Sequence, residues 1–373
     1  MQPKLKSLES LRGLAAVGVV FFHFRMHSSF DNRFVQDLWL MVDFFFVLSG
    51  FVMTLAYADR LANRRQFFEF AKKRFFRLYP LHILVLLAWV ALEIFTLLAV
   101  NNLGYAAEFD PFSGRRSLGA LVANLLLVHN LVLPNNSWNY PSWSISAEFF
   151  VYLLFAMVYV FFSSRARIRL GVFVLLMLLA CMVLWLEGMR GQTNISGPSR
   201  CVFSFILGHF TYLLLQKDPR RNLRFLGFLT VCLSIFFVTM KSHFPDAIAG
   251  FIPVIFAITI YCVVRSPCDS AFIRALEIKP LVFLGTISYG IYMWHALVLD
   301  LITRFVRTGL SYPLVEGPNG RLVVEYQSVA VANVAIMLLM ASSIGLAWLS
   351  YRFFETRFYR SGLRETGASP VQR

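Results

Sequence analysis

Long runs of apolar residues, separated by short polar segments, recur along the chain. Each run is long enough, or nearly long enough, to cross about 30 Å of hydrocarbon at about 1.5 Å per residue in a helix. Ten runs predict transmembrane helices, at 8–27, 36–58, 80–100, 143–163, 170–187, 200–216, 224–240, 247–264, 281–301 and 328–351. The pattern therefore predicts an all-α, polytopic integral membrane protein with about ten transmembrane helices.

One further apolar run, 118–133, is shorter and contains Asn124, His129 and Asn130. Polar side chains are costly in hydrocarbon and rarely face lipid. We therefore interpret this run as a short re-entrant or interfacial helix rather than as a complete crossing of the membrane.

Composition and charge support a membrane location. Hydrophobic residues make up 58% of the chain, and the mean hydropathy is +0.64, well above the values of a soluble domain. Most of the 35 Lys and Arg residues fall on one side of the ten-helix topology. Because short basic loops remain in the cytoplasm, we expect both termini there. The net charge of +15 is then explained by this topology and by anionic lipids of the bilayer, and we expect no binding of nucleic acid.

The sequence predicts one membrane domain, at 1–355, followed by a basic cytoplasmic tail at 356–373. Because Arg12 interrupts the first apolar run, we expect no cleavable signal peptide. The five cysteines are scattered and odd in number, so they indicate neither a disulfide framework nor a metal site. His23 and His27 are spaced as zinc ligands on a helix are, but the sequence offers no third ligand, and we expect no metal.

Ionisable residues inside transmembrane helices are costly and usually functional. Arg12 and His23 lie eleven residues apart, which places them on one face of a helix, about 16 Å apart along its axis. The predicted helix directions place His23, Asp43, Glu148 and His295 in one layer toward the outer side of the membrane. If these helix faces converge, the layer holds two imidazoles that can act as bases and two carboxylates that can orient them.

A second group of charges is predicted at the cytoplasmic side, in the segment QFFEFAKKRFFRLYPLH. Arg74 and Arg77 are three residues apart, share one face of a helix and are suited to clamp a phosphate through bidentate hydrogen bonds. Arg12 is expected nearby, at the same membrane face. An anchor in the lipid headgroups explains Lys72 and Lys73 equally well.

Each of these residues also has a structural interpretation. His23 and His295 are compatible with buried histidines that bond a backbone carbonyl, and Arg12 with a side chain that extends to the headgroups. Asp43 and Glu148 are compatible with buried partners of an arginine. The sequence leaves these alternatives open.

Five motifs, in their order along the chain, resemble the acyltransferase-3 family of membrane-bound bacterial O-acyltransferases. They are Arg-x10-His in the first run, DFFFVLSGF, RFFRLYP, SWSISAEFFVY and ISYGIYMWH. The segment RCVFSFILGH, from Arg200 to His209, and the closing YRFFE, which ends at Glu355, also resemble that family, although the proline usual shortly after that Glu is absent. The resemblance extends from about Leu8 to Glu355, nearly the whole chain.

The resemblance implies an enzyme that takes an acyl group, most often acetyl, from cytoplasmic acyl-CoA. The acceptor is expected to be a hydroxyl of a saccharide or glycolipid at the other face of the bacterial inner membrane. By the family match, His23 acts as general base or as transient acyl carrier. Asp43 or Glu148 is expected to orient its ring, as carboxylates do in hydrolase triads.

The resemblance also assigns binding roles. CoA carries an anionic nucleotide, and the arginines expected to bind its phosphates are Arg12, Arg74 and Arg77. The residues expected to bind substrate are Trp143, Tyr289, His295 and Arg200. Candidates for stabilising the oxyanion of the tetrahedral intermediate are Ser144, Trp143 and Tyr289.

Two other functions stay open on the sequence. A secondary transporter or channel would also explain ionisable residues within the membrane, although no interrupted helices occupy matching positions of two halves. An acyltransferase that acts on a lipid or a small molecule shares the mechanism and differs only in its acceptor.

Overall fold

The computed structural model of the protein describes residues 5–23, 28–30, 32–104, 110–187, 196–217, 223, 225–241, 250–316, 322–326 and 328–358. Most of the predicted tail at 356–373 lies outside these residues. The beginning of the predicted helix at 247–264 and His27, one of the two histidines with zinc-like spacing, also lie outside them.

Helices dominate the described residues, which confirms the predicted all-α class. They are α1 (Leu5–His23), α2 (Arg33–Asp37), α3 (Met41–Tyr57), α4 (Arg64–Leu103), α5 (Leu118–Leu125), α6 (His129–Val132), α7 (Trp143–Phe161), α8 (Ala166–Glu187), α9 (Ser196–Lys217), α10 (Leu226–Met240), α11 (Ile252–Arg265), α12 (Ala271–Leu276), α13 (Lys279–Thr286), α14 (Ser288–Gly309) and α15 (Val329–Ser350). A small antiparallel hairpin is formed by β1 (Leu314–Glu316) and β2 (Leu322–Val324), and a π-helical turn (Tyr351–Glu355) follows α15.

Several helices are long and apolar enough to cross a membrane. Among the described residues these stretches are Arg33–Tyr57, Arg64–Leu103, Tyr140–Phe161, Ala166–Glu187 and Val329–Phe358. The pair α13 and α14 meets the same test as one broken span, and α10 and α11 are apolar but shorter. These helices indicate a membrane protein. The number of about ten crossings and the cytoplasmic position of both termini stay predictions.

The helix predicted at 281–301 is not continuous. The chain bends by 68° between α13 and α14, at Ile287. The hydroxyl of Ser288 donates to the carbonyl oxygen of Gly285 (2.7 Å), so a polar side chain bonds the last turn of α13 where the regular helix ends. The apolar run at 281–301 is therefore formed by two helices and not by one uninterrupted helix.

The chain divides into two compact units. Unit 1 comprises Met1–Ala58 and Phe203–Trp348, and unit 2 comprises Asp59–Val202 and Leu349–Arg373.

In unit 1, α1 packs against α13 and also contacts α3 and α14. A Cβ atom built on Gly13 would lie 2.5 Å from the backbone nitrogen of Gly285, and one built on Gly285 would lie 2.5 Å from the carbonyl carbon of Glu9. Any side chain at these two positions would push the helices apart, so the glycines set the distance between α1 and α13.

A second close crossing in unit 1 joins α3 to α9. A Cβ atom on Gly50 would lie 2.7 Å from the carbonyl carbon of Phe205, and one on Gly208 would lie 2.8 Å from that of Val47. The two backbones therefore touch directly, which small residues permit between helices in membranes.

In unit 2, α4 is continuous over 40 residues. The side chain of Asn63 accepts a hydrogen bond from the backbone of Gln66 at its start, and Gly104 ends it in the left-handed conformation. The sequence predicts a membrane-crossing run at 80–100 and a helix face that contains Arg74 and Arg77 before it. The structure joins the two, because the basic segment and Pro80 belong to one continuous helix.

Helix α7 packs antiparallel along the first half of α4. The rings of Phe70 and Phe155 lie 6.4 Å apart, and those of Phe75 and Phe149 lie 6.1 Å apart. Later residues of α4 thus meet earlier residues of α7. This register decides which polar groups of the two helices lie at the same height.

The segment between α4 and α7 turns back along α4. Arg116 pairs with Glu93 in the second half of α4, whereas the carbonyl of Leu125 accepts a hydrogen bond from the hydroxyl of Tyr79 (2.8 Å). Glu93 and Tyr79 are fourteen residues apart, or about 21 Å along the helix axis. The segment that contains α5 therefore runs beside α4, and whether it is re-entrant or interfacial stays a prediction.

Candidate active site

His23 and His295 face each other in unit 1. Their ring centroids are 4.9 Å apart, and Nδ1 of His23 lies 3.1 Å from Nε2 of His295. His295 is fully buried, and His23 is half-buried. The sequence places these residues in one layer, and the structure brings their rings into contact.

The hydrogen bonds indicate which ring nitrogens carry protons. Nδ1 of His295 lies 3.3 Å from the carbonyl oxygen of Ile291, and Nδ1 of His23 lies 2.9 Å from that of Val19. Because a carbonyl oxygen only accepts, both Nδ1 atoms carry a hydrogen and donate it. Nε2 of His295 then shares the hydrogen on Nδ1 of His23. Nε2 of neutral His23 keeps a lone pair, which is the state that a general base needs.

Arg12 lies at the break between α13 and α14. Its Nη2 donates to the carbonyl oxygen of Gly285 (2.8 Å), its Nε donates to the hydroxyl of Ser288 (3.0 Å), and Glu9 lies 3.6 Å from Nη2. Since Gly285 is in the last turn of α13, the positive charge of the guanidinium is also stabilised by the negative end of that helix dipole. These contacts give Arg12 a role in holding α1 on α13, and its contact with a CoA phosphate stays a prediction.

Asp43 and Tyr289 are the other two predicted site residues in unit 1. Asp43 is buried in the first turn of α3, where the positive end of the helix dipole stabilises a carboxylate. Tyr289 is half-buried in the first turn of α14, directly after the break. The contact described for the His23 ring is with another imidazole, so the carboxylate partner of His23 stays a prediction.

A third histidine in unit 1, His209, makes a defined side-chain contact that the sequence does not predict. Nδ1 of His209 lies 3.0 Å from the hydroxyl of Thr54, which itself donates to the carbonyl of Gly50 (2.7 Å). The Thr54 hydrogen is used in that bond, so His209 donates from Nδ1. Both side chains are buried at the close α3–α9 crossing. The signal in the sequence is that Thr54 and His209 lie beside the crossing glycines.

In unit 2, Arg74 and Glu148 are connected through Tyr152. The hydroxyl of Tyr152 donates a short hydrogen bond to the carboxylate of Glu148, one turn earlier on α7. The guanidinium carbon of Arg74 lies 6.0 Å from the centroid of the Tyr152 ring and 6.0 Å from that of Phe70. A predicted catalytic carboxylate and a predicted phosphate-binding arginine therefore share one tyrosine.

This contact corrects the heights that the sequence predicts. The sequence places Glu148 toward the outer side and Arg74 at the cytoplasmic mouth. Because α7 packs along the first half of α4, the two residues lie at the same height on these helices. Arg77 follows Arg74 by one turn and is half-buried. The predicted separation of Glu148 from Arg74 is therefore wrong.

Trp143 and Arg200 also meet in unit 2. The guanidinium carbon of Arg200 lies 5.4 Å from the ring centroid of Trp143, and both side chains are buried. Gly197, one turn before Arg200, packs so closely that a Cβ atom there would contact the amide of Asn130 and the Trp143 ring. This cation–π contact joins two residues predicted to bind substrate.

A stacked pair of histidines in unit 2 connects the segment that contains α5 and α6 to its neighbours. The rings of His82 and His129 are parallel within 1°, with centroids 5.6 Å apart. Nε2 of His82 donates to the carbonyl of Asn124, and Nε2 of His129 donates to that of Ser142. These bonds connect the segment to α4 and to the start of α7.

The ten predicted site residues are thus divided between the two units. Unit 1 contains Arg12, His23, Asp43, Tyr289 and His295, and unit 2 contains Arg74, Arg77, Trp143, Glu148 and Arg200. Within unit 1 the structure joins His23 to His295, and within unit 2 it joins Arg74 to Glu148 and Trp143 to Arg200.

The family model of the acyltransferase-3 domain, described as an acyltransferase domain, matches residues 5–352. The chain belongs to the acyltransferase-3 family. The match includes every one of the ten residues, so the resemblance of the five motifs is confirmed.

Three curated relatives are similar to this chain, and each similarity covers most of the chain. O-acetyltransferase OatA of Staphylococcus aureus is 25% identical over 99% of the chain and 59% of the relative. The putative peptidoglycan O-acetyltransferase YrhL of Bacillus subtilis is 26% identical over 82% of the chain and 50% of the relative. Peptidoglycan O-acetyltransferase OatA of Listeria monocytogenes is 23% identical over 95% of the chain and 56% of the relative.

The chain therefore spans between 50% and 59% of the length of these relatives. No solved structure matches it.

Proposed function

We propose that the protein is an O-acyltransferase that moves an acetyl group from acetyl-CoA to a hydroxyl of a saccharide of the cell wall. The family supports acyl transfer, and two relatives named as peptidoglycan O-acetyltransferases, one of them putative, support the class of acceptor. The observation that carries the proposal is the contact of His23 with His295, in which Nε2 of His23 retains a lone pair.

In the proposed reaction, Nε2 of His23 removes the proton of the acceptor hydroxyl as its oxygen attacks the thioester carbonyl. The tetrahedral intermediate then expels the CoA sulfur, which takes the proton from Nε2. His295 accepts from Nδ1 of His23 and stabilises the imidazolium that forms between the two steps. Transient acylation of the same Nε2 is the other form of this mechanism, and it needs the same tautomer.

The donor is proposed to enter from the cytoplasm, with its phosphates bound by Arg12, Arg74 and Arg77. The packing of Arg74 on two aromatic rings supports this role for unit 2. Cation–π contacts with both rings restrain the guanidinium, whose N–H groups are well suited to phosphate. In keeping with this donor side, both termini are proposed to be cytoplasmic and the acceptor to lie at the outer face of a bacterial inner membrane.

The remaining predicted residues are proposed to complete the site. Asp43 and Glu148 are the candidate carboxylates for the reaction, and Tyr289 is a candidate donor to the oxyanion. Trp143 and Arg200, which form one buried contact, are proposed to shape the binding of substrate.

The proposal is tested with protein purified in lipid nanodiscs, labelled acetyl-CoA and soluble peptidoglycan fragments. Replacement His23→Ala is expected to abolish transfer and to leave most binding of acetyl-CoA, measured by equilibrium dialysis. His82→Gln, which changes another buried histidine, is the control and is expected to retain transfer. Undiminished transfer by His23→Ala would refute the catalytic role.

The donor site has its own test. Arg74→Ala is expected to raise the KM for acetyl-CoA more than it lowers kcat, whereas Arg65→Ala, on the same helix and exposed, is expected to change neither. Equal binding of acetyl-CoA by wild type and by a triple alanine variant of Arg12, Arg74 and Arg77 would remove the phosphate site. Formation of an acetyl ester also separates the enzyme from a transporter or channel, which would move its substrate unchanged.

A further inference from the structure

Two pairs of residues on neighbouring helices form one compact group in unit 2. Phe70 and Arg74 are four residues apart on α4, and Glu148 and Tyr152 are four residues apart on α7, so each pair lies on one helix face. The rings of Phe70 and Tyr152 meet edge to face, with centroids 6.3 Å apart. Tyr152 is buried, with 5% of its surface exposed.

Tyr152 uses both of its chemical parts in this group. Its hydroxyl donates to the Glu148 carboxylate, and the face of its ring lies under the Arg74 guanidinium. A hydrogen bond to a carboxylate fixes the direction of one oxygen, and a cation–π contact fixes the plane of a guanidinium. One side chain therefore orients a carboxylate and a cation together.

We infer that Tyr152 is a positioning residue that couples the Glu148 carboxylate to the donor arginine Arg74. The inference rests on the proposed function and deepens it, because it makes Glu148 part of the arginine-containing side of the site. In this arrangement, closing Arg74 on a phosphate also fixes Glu148, through the ring and the hydroxyl of the same tyrosine.

The two parts of Tyr152 are separable by mutation. Tyr152→Phe removes the hydroxyl and keeps the ring, whereas Tyr152→Leu removes both. For Tyr152→Phe we expect kcat to fall about tenfold to a hundredfold, the effect of losing a hydrogen bond to a charged group, with the KM for acetyl-CoA within about twofold of wild type. For Tyr152→Leu we expect the same fall in kcat and, in addition, a rise in KM of about two- to fivefold.

Tyr159 provides a matched control on the same helix. It is buried, and its ring lies under another guanidinium, that of Arg169, at 4.4 Å. Tyr159→Phe and Tyr159→Leu are expected to leave kcat and the KM for acetyl-CoA unchanged at matched protein stability. A merely structural role of Tyr152 would make the two series alike.

An infrared measurement tests the contact without any substrate. The carboxylate band of Glu148 is identified by the difference between wild type and Glu148→Gln, and we expect it to shift in Tyr152→Phe and to stay in place in Tyr159→Phe. An unshifted band, or a Tyr152→Phe enzyme with the kinetics of wild type or of Tyr152→Leu, would overturn the inference. If wild type transfers no acetyl group, the proposed function fails, and the infrared result alone decides the role of Tyr152.

Discussion

The direct backbone contact between α3 and α9 predicts a large effect of a single methyl group. In the substitution Gly50→Ala, the new Cβ atom would lie 2.7 Å from the carbonyl carbon of Phe205, whereas ordinary contacts begin at 3.4 Å. The helices must therefore separate by at least about 0.7 Å, and by more to clear the carbonyl oxygen, which lies nearer. The buried 3.0 Å hydrogen bond between Thr54 and His209 spans the same crossing and would lengthen with it.

We expect Gly50→Ala to lower the free energy of unfolding by about 2–3 kcal/mol, the cost of forcing extra volume into a packed core. This loss corresponds to a fall in melting temperature on the order of 5 °C. The assay is thermal unfolding in detergent, followed by tryptophan fluorescence and by loss of the monodisperse peak. Gly208→Ala, on the other side of the crossing, is expected to behave in the same way.

Gly171 provides the control, because a Cβ atom there meets nothing within 4 Å in α8. Gly171→Ala is expected to raise the melting temperature slightly, since alanine favours helix by about 0.5–1 kcal/mol over glycine. Equal melting temperatures for Gly50→Ala and Gly171→Ala would refute the reasoning that the two backbones touch.

Three further predictions follow from the described contacts. His295→Phe keeps a ring but removes one of the two acceptors of Nδ1 of His23 and leaves the carbonyl of Val19, so single-turnover transfer is expected to fall about tenfold or more while binding of acetyl-CoA, measured by dialysis, is retained. Arg12→Lys loses the fork that bonds the end of α13, and thermal melts are expected to show a loss of about 1–2 kcal/mol; an unchanged melt would contradict this. Arg116→Ala leaves the Glu93 carboxylate buried without its partner, and is expected to cost about 2 kcal/mol or more, whereas Glu93→Gln costs less; the order of the two melting temperatures is the check.

Hydropathy predicts where most helices lie. It does not predict where α4 begins or that the chain bends at Ile287. The basic residues before Pro80 are compatible with a surface anchor, whereas α4 includes them: the Asn63 side chain caps its start, and α7 packs against it from Phe70 onward. The 68° bend at Ile287 has no proline beside it that would predict a break from the sequence. It is held by Ser288 and by Arg12 from a distant part of the chain, and such a contact has no local signal.

The sequence predicts which site residues lie at one height when this follows from their position along a helix. It does not predict this when it follows from the packing of two helices. His23 and His295 both lie near the predicted outer ends of their helices, so the sequence places them in one layer. The height of Glu148 does not follow from the sequence, because it depends on the register of α7 against α4. Tyr152 is hidden in the aromatic motif SWSISAEFFVY, and its spacing of four residues from Glu148 is the signal that helical geometry provides.

The attachment of α1 has an evolutionary consequence. Gly13 sits directly on the backbone of α13, and His23 is carried ten residues farther, about 15 Å along a rigid rod. Deleting one residue between them would rotate the imidazole by about 100° about the helix axis and turn it away from its partner ring. Lineages of this protein are therefore expected to tolerate changes of side chain along that stretch while keeping its length unchanged.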